Sequence, residues 1–259
     1  MFGQLRNFEA NLAANEAVAP LPFGPAPGFA TDEFEVMVTR LDVEPDEVRV
    51  LATLLSEPER ERANRFVFDR DRRRFIVARA RLRQFLSTRL ATPPESVGLI
   101  YGKHGKPALA APYADSGVRF NVTHSAEIAA YAFSTRREIG IDVEAVRTIP
   151  DADAIAARFF SPRENEAYLA LNLRDRAQGF FNCWTRKEAF IKAIGDGLYY
   201  PLGCFEVALA PDEPARILRV QGVHGDDCGW RMEGFSPASG FVAAVVVESL
   251  PAQAKPRPA

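Results

Sequence analysis

Two stretches carry side chains whose types and spacing could do chemistry. In Ile139-Gly140-Ile141-Asp142-Val143-Glu144 the residues alternate as in a short strand, with Asp142 and Glu144 on one face and Ile141 and Val143 on the other. In Phe181-Asn182-Cys183-Trp184-Thr185-Arg186-Lys187-Glu188-Ala189-Phe190-Ile191-Lys192 the composition is helical, and Gly195 and Gly197 supply the stop. Trp184, Glu188 and Lys192 share one helical face, while Phe190 and Ile194 share another. Each stretch has an ordinary reading, as solvated strand acids and as a surface i,i+4 ion pair. Taken together they make a different unit. Glu188 brought over Asp142 and Glu144 gives an all-oxygen cage of the kind that suits Mg²⁺, with substrate phosphates completing the octahedron.

The elements that must position these groups have to come from a chain of 259 residues, 47% hydrophobic, long enough for one large domain or two half-size ones. A net charge of -2 argues against a general nucleic-acid binder or a membrane-surface protein. Cys183, Cys204 and Cys228 lack metal or disulfide spacing and suit free thiols in a reducing cytoplasm. No basic start followed by an apolar core, and no apolar run of membrane-span length, is present. A cytoplasmic protein is the expectation.

Residues 1–30 are Ala- and Pro-rich and read as an arm, 31–136 and 137–250 as two α+β halves, and 251–259 as a tail. Phe34–Val38 reads as the first strand, and helices follow from Asp46 and from Ser56, whose Glu59 completes a capping box. A long helix over about 69–90 has Phe75, Ala78, Leu82, Phe85 and Leu86 as its core stripe. Its arginines (Arg70, Arg72, Arg73, Arg74, Arg79, Arg81 and Arg83) read as a solvated face. Tyr101-Gly102-Lys103-His104-Gly105-Lys106-Pro107 is a Gly-punctuated loop whose lysines permit close phosphate approach. Strands are expected at 120–125 and 128–133, a helix over about 151–160, a capped helix from Ser161 with Glu164, and strands at 205–209, 215–221, 230–235 and 241–247. The run Ser56-Glu57-Pro58-Glu59-Arg60 echoes Ser161-Pro162-Arg163-Glu164, as two similar halves with a ligand cleft between them would.

Gly105-Lys106-Pro107 with Asn121-Val122-Thr123-His124-Ser125, then Gly140 to Glu144, then Trp184 to Lys192, resemble in order and spacing the surfactin-type 4′-phosphopantetheinyl transferases. The resemblance covers roughly residues 34–250, and Arg65-Phe66-Val67-Phe68 and Arg158-Phe159-Phe160-Ser161 share it. It implies a pseudo-twofold pair of α+β halves, each a small antiparallel sheet packed by helices, acting as a monomeric pseudo-dimer. It also implies Mg²⁺-dependent transfer of the phosphopantetheine arm of coenzyme A to a serine of an apo acyl or peptidyl carrier protein, with release of adenosine 3′,5′-bisphosphate, as in the holo-[acyl-carrier-protein] synthase type of enzyme. By motif position, Asp142, Glu144 and Glu188 would hold the metal, and Lys192, with Lys187 beside it, would meet the pyrophosphate. Arg62, Lys106, Thr123 and His124 would bind the nucleotide end, and Glu164 or Glu188 would take the serine proton. Thr123 stands where the family often has Ser, which keeps the hydroxyl.

Competing classes leave weaker marks. A Mg²⁺-dependent nucleotidyl- or phosphotransferase acting on free nucleotides would share the acid cluster, and its P-loop version would show G-x-x-x-x-G-K-[ST], which is absent. A nucleic-acid module built on the Arg-rich helix would carry a basic balance and interleaved exposed aromatics.

Overall fold

The computed structural model describes residues 25–31, 33–102, 105–195, 200–220, 223–224 and 228–249. Lys103, His104, Gly197, the first 24 residues of the arm and the tail at 251–259 lie outside the described residues.

The first half runs β1 (Pro25–Ala30), β2 (Phe34–Arg40), α1 (Pro45–Ala52), α2 (Glu57–Asn64), α3 (Asp69–Leu90), a small pair β3 (Leu99–Tyr101) and β4 (Pro107–Leu109), then the hairpin β5 (Val118–Ser125) and β6 (Ile128–Thr135). The second runs β7 (Ile139–Ala145), α4 (Ala152–Phe159), α5 (Pro162–Ala170), α6 (Arg176–Ile194), the short strands β8 (Phe205–Val207), β9 (Ile217–Val220) and β10 (Val223–His224), then β11 (Trp230–Phe235) and β12 (Phe241–Glu248). Among the described residues the strands form two larger antiparallel sheets at the joint of the halves, ordered β1-β2-β6-β5 and β11-β12-β7, with the smaller antiparallel sheets β10-β9-β8 and β3-β4 beside them. Pro25–Ala30, expected to belong to the arm, instead pairs with β2 as an edge strand, a position where its prolines' missing donors are tolerated.

Four layers stack as helix, sheet, sheet, helix. Val77, Ala80 and Leu86 of α3 pack on Phe120, Tyr131 and Phe133 of the first sheet. Ala189, Phe190 and Ala193 of α6 pack on Val242, Ala244 and Val246 of β12. The inner faces meet between the helices, with Val36, Ile128 and Ala130 against Ile141, Val143 and Val245. β12 is apolar on both faces because both are covered, which explains its unbroken run of Val and Ala. The expected α+β pair of halves is the architecture found.

Symmetry reaches individual side chains. Arg119 Nε of β5 lies 3.2 Å from Oε1 of Glu138, the residue before β7. Arg231 Nη1 of β11 lies 3.1 Å from Oε2 of Glu33, the residue before β2. The α3 arginines depart from their expected solvated face at two positions. Arg81 and Arg83 are buried, because Glu47 and Glu59 on the neighbouring helices accept their hydrogen bonds.

Two features of β7 position the site. Along β5, Asn121 Oδ1 accepts from the Ile141 amide at 3.1 Å and Ser125 Oγ from the Ala145 amide at 3.2 Å, so side chains of one half satisfy backbone donors of the other. On its outer face β7 is pressed against α6 at Gly140, where a Cβ would stand 2.1 Å from the Ala189 carbonyl oxygen and 2.3 Å from the Ala193 nitrogen.

Candidate active site

Because side chains alternate along β7, the face that offers Gly140 to α6 also carries Asp142 and Glu144. Asp142 is 4% exposed. Its Oδ1 accepts from Thr123 Oγ1 at 2.9 Å and from Lys192 Nζ at 2.5 Å, and Lys192 Nζ also lies 3.3 Å from Thr123 Oγ1. Glu144 Oε2 accepts from Ser125 Oγ at 2.8 Å, with Arg147 Nη1 at 3.5 Å. Thr123 and Ser125, two residues apart on β5, thus serve in register the two acids that stand two residues apart on β7. Lys192 sits in the last turn of α6, where a cation is favoured by the helix dipole.

The charges in this group shape one another. Burial pulls Lys192 down, but the carboxylates of Asp142, Glu188 and Glu144 outweigh it and hold the ammonium above its ordinary value. Burial, then the charge of Asp142, pushes Glu144 up to about 7, against the Ser125 hydrogen bond and the cations Arg147 and Lys192. Glu188 is half-buried one turn before Lys192 and enters the site through this field.

The test of a metal is whether these groups lack something it would supply. Asp142 Oδ2 is buried with no hydrogen-bond partner, an acceptor left for a cation. Among the described residues no three acidic, His or Cys side chains stand close enough to form a ready-made cage. Asp142 and Glu144 therefore fit Mg²⁺ as a two-carboxylate seat, and the expected three-carboxylate cage is not preassembled.

The structure does not bring Glu164 and Lys187 to the acids. Glu164 is 3% exposed and Lys187 1%. Glu164 Oε2 accepts from the Ser161 amide and lies 2.7 Å from Lys187 Nζ, while Oε1 accepts from the Val207 amide. Lys187 also donates to the carbonyls of Leu202 and Phe205 at 2.7 and 2.8 Å. Both are enclosed, with each carboxylate oxygen and the ammonium already engaged inside the protein, which corrects the expected roles as base and as phosphate contact. Cys183 beside them is equally closed off, its thiol pushed well above the usual range by burial and then by Glu164.

At the positions expected to meet the nucleotide end, Lys106 Nζ donates to the Lys192 carbonyl at 2.8 Å and lies 3.5 Å from Glu138 Oε2. Burial lowers it from its ordinary value, with Glu138 opposing. His124 is exposed on β5, and the Thr123 hydroxyl is committed to Asp142. Arg62 is exposed at the end of α2, its guanidinium 5.2 Å from the centre of the Phe75 ring. Reading single residues missed Asn121, Ser125 and Arg147. Period two from Thr123 marks the first two, while Arg147, stacked 5.0 Å over Phe181, has no pattern to announce it.

Paired strand carboxylates facing a helix-borne ammonium, at the joint of two similar halves, are the equipment of a phosphate-handling transferase. A family model described as 4′-phosphopantetheinyl transferase superfamily matches residues 138–246, and one described as 4′-phosphopantetheinyl transferase, N-terminal, matches residues 42–136. The chain is 38% identical over 227 residues to the 4′-phosphopantetheinyl transferase HetI of Nostoc sp., covering 88% of this chain and 92% of the relative. It is 32% identical over 165 residues to the 4′-phosphopantetheinyl transferase Sfp of Bacillus subtilis, covering 64% and 71%. A Thermotoga maritima holo-[acyl-carrier-protein] synthase structure aligns at 26% identity over 44% of this chain and 64% of that one, with a TM-score of 0.33, too low to carry any argument. The chain belongs to the 4′-phosphopantetheinyl transferase family. No helix among the described residues is long and apolar enough to cross a membrane.

Proposed function

We propose that this protein moves the 4′-phosphopantetheine arm of coenzyme A onto a serine of an apo acyl or peptidyl carrier protein, releasing adenosine 3′,5′-bisphosphate. The observation that carries the reading is the Asp142 carboxylate of this family member, held by Thr123 and Lys192 on one oxygen and open on the other. Asp142 and Glu144, joined by Glu188, are the residues that would hold Mg²⁺, which when bound neutralises pyrophosphate charge.

The chain's own groups do the rest. The serine oxygen bonds to the phosphorus bearing the pantetheine arm as the bond from that phosphorus to the adenosine bisphosphate oxygen breaks. Glu188 takes the serine proton, directly or through a water, since Glu164 is enclosed. Lys192, kept protonated by three carboxylates, stabilises the leaving phosphate. Thr123 and Ser125 hold the acids, while Arg62, Lys106 and His124 serve the nucleotide end. A single chain suffices, because β5 of one half and β7 of the other supply both walls.

The deciding measurement is intact mass. The protein is incubated with coenzyme A, Mg²⁺ and a panel of apo carriers from fatty-acid, polyketide and peptide synthesis, with a chelator control. At least one carrier gains the mass of the arm; no gain on any carrier removes the reading.

A further inference from the structure

Resting on that reading, we infer that Glu164 and Lys187 form one copy of a duplicated strut, making them positioning residues that set α6 against β7 and not participants in proton transfer. The evidence is a second pair built to the same plan in the first half.

Glu59 and Glu164 each occupy the third position of a helix begun by a Ser-Glu capping box, α2 and α5. Each carboxylate accepts from its own capping serine's amide, at 2.9 Å from Ser56 and 2.7 Å from Ser161. Each also meets a buried cation on the long helix of its half, Arg83 Nε on α3 at 2.7 Å and Lys187 Nζ on α6 at 2.7 Å. Both cations stand seven residues before the last residue of their helix. Both then donate to carbonyls of the 3₁₀ turn that follows and of the residue after it. Arg83 Nη1 reaches Pro94 and Val97 at 3.0 and 2.9 Å, and Lys187 reaches Leu202 and Phe205. The plans differ at one oxygen: Glu59 Oε1 faces Arg79 at 3.5 Å, where Glu164 Oε1 takes the Val207 amide.

The acids Asp142 and Glu144 lie on β7, and α3 has Gln84 and Thr88 where α6 has Glu188 and Lys192. A device present where no acid cluster exists is explained by what both copies share, the tie between capped helix, long helix and following turn. In the second half that tie has a consequence the first lacks. Glu188 adjoins Lys187, and Lys192 lies five residues on, so the strut fixes the helix rotation at which Lys192 meets Asp142 with Glu188 one turn before it.

Three variants, Lys187→Arg, Glu164→Gln and Glu59→Gln, test this by melting temperature, carrier modification per folded molecule and the pH dependence of the rate. Arginine fills the lysine's station in the other copy, so Lys187→Arg keeps its rate within about threefold of the parent. Glu164→Gln and Glu59→Gln both lower the melting temperature, each keeping the folded rate within about tenfold and the acid limb of the pH profile in place. The inference is overturned if Glu164→Gln melts normally yet loses about 10²–10⁴-fold in rate together with the acid limb, the signature of a lost base. It is equally overturned if folded Lys187→Arg is inactive, and this variant decides the matter should a Gln variant fail to fold. A parent protein that modifies no carrier would remove the proposed function, while the matched melting losses would still report the strut.

Discussion

Ser125 and Glu144 face each other across the joint of the two halves, the hydroxyl of the last β5 residue donating at 2.8 Å to an acid near the end of β7. The same oxygen accepts from the Ala145 amide, so one side chain closes the backbone seam and orients a carboxylate. Thr123 does the second of these tasks for Asp142, one alternation back. Asp142 and Glu144 thus each accept a hydroxyl hydrogen bond from the half that does not contain them.

Removing the open carboxylate oxygen tests its role. Asp142→Asn keeps the side chain's shape and its contact with Thr123 while removing the charge. Transfer falls by about 10²-fold or more, as expected when several kcal/mol of metal-borne stabilisation is lost. Circular dichroism confirms that the variant is folded, and turnover near the parent rate excludes the assignment.

Glu144 gives a pH signature. Its folded value is raised from 4.5 to about 7, so between those values the native state holds a proton that the unfolded chain has released. Stability therefore falls as pH rises through this window, by up to about 3 kcal/mol, and stays lower above it. Melting scans from pH 4.5 to 8 in chelator show this slope. Glu144→Gln flattens it, and added Mg²⁺ stabilises the parent more at pH 8 than at pH 5.5.

Gly140→Ala drives a methyl group into the backbone of α6 at Ala189 and Ala193. Backbone cannot step aside as a flexible side chain would, so the variant loses about 1–3 kcal/mol. Calorimetry reads this as a drop of about 2–10 °C in melting temperature. The rate per folded molecule falls too, since α6 carries Glu188 and Lys192. An unchanged melting temperature contradicts the close approach.

Arg62→Ala separates coenzyme A from its dephospho form. A charge-assisted contact to the 3′-phosphate is worth about 1.5–3 kcal/mol, so coenzyme A weakens by about 10- to 150-fold and dephospho-coenzyme A hardly at all. Titration calorimetry with both ligands decides it, and equal losses place the 3′-phosphate elsewhere.

Much of the site was legible because its periodicities are strict. Period two put Asp142 and Glu144 on one face, and the helical repeat put Glu188 and Lys192 on another. The fold joins the two faces, with Gly140 as the point of closest contact. The burial of Arg83, read as part of a solvated face, and of Lys187, expected at the pyrophosphate, was not legible, since nothing local reveals it. Their partners Glu59 and Glu164 lie on other helices. The capping boxes marked both acids as helix starts without showing that their free oxygens would turn inward.

The sheet-on-sheet packing bears on how the chain is made. As the first half leaves the ribosome, Val36, Ile128 and Ala130 form a sheet face whose cover is not yet synthesised. β7 follows at once, but β12, which pairs with it and lies at the centre of the second sheet, is the last strand described. Nearly the whole sequence must therefore emerge before that greasy face is sheltered. Until then the nascent protein presents a surface suited to a holdase chaperone.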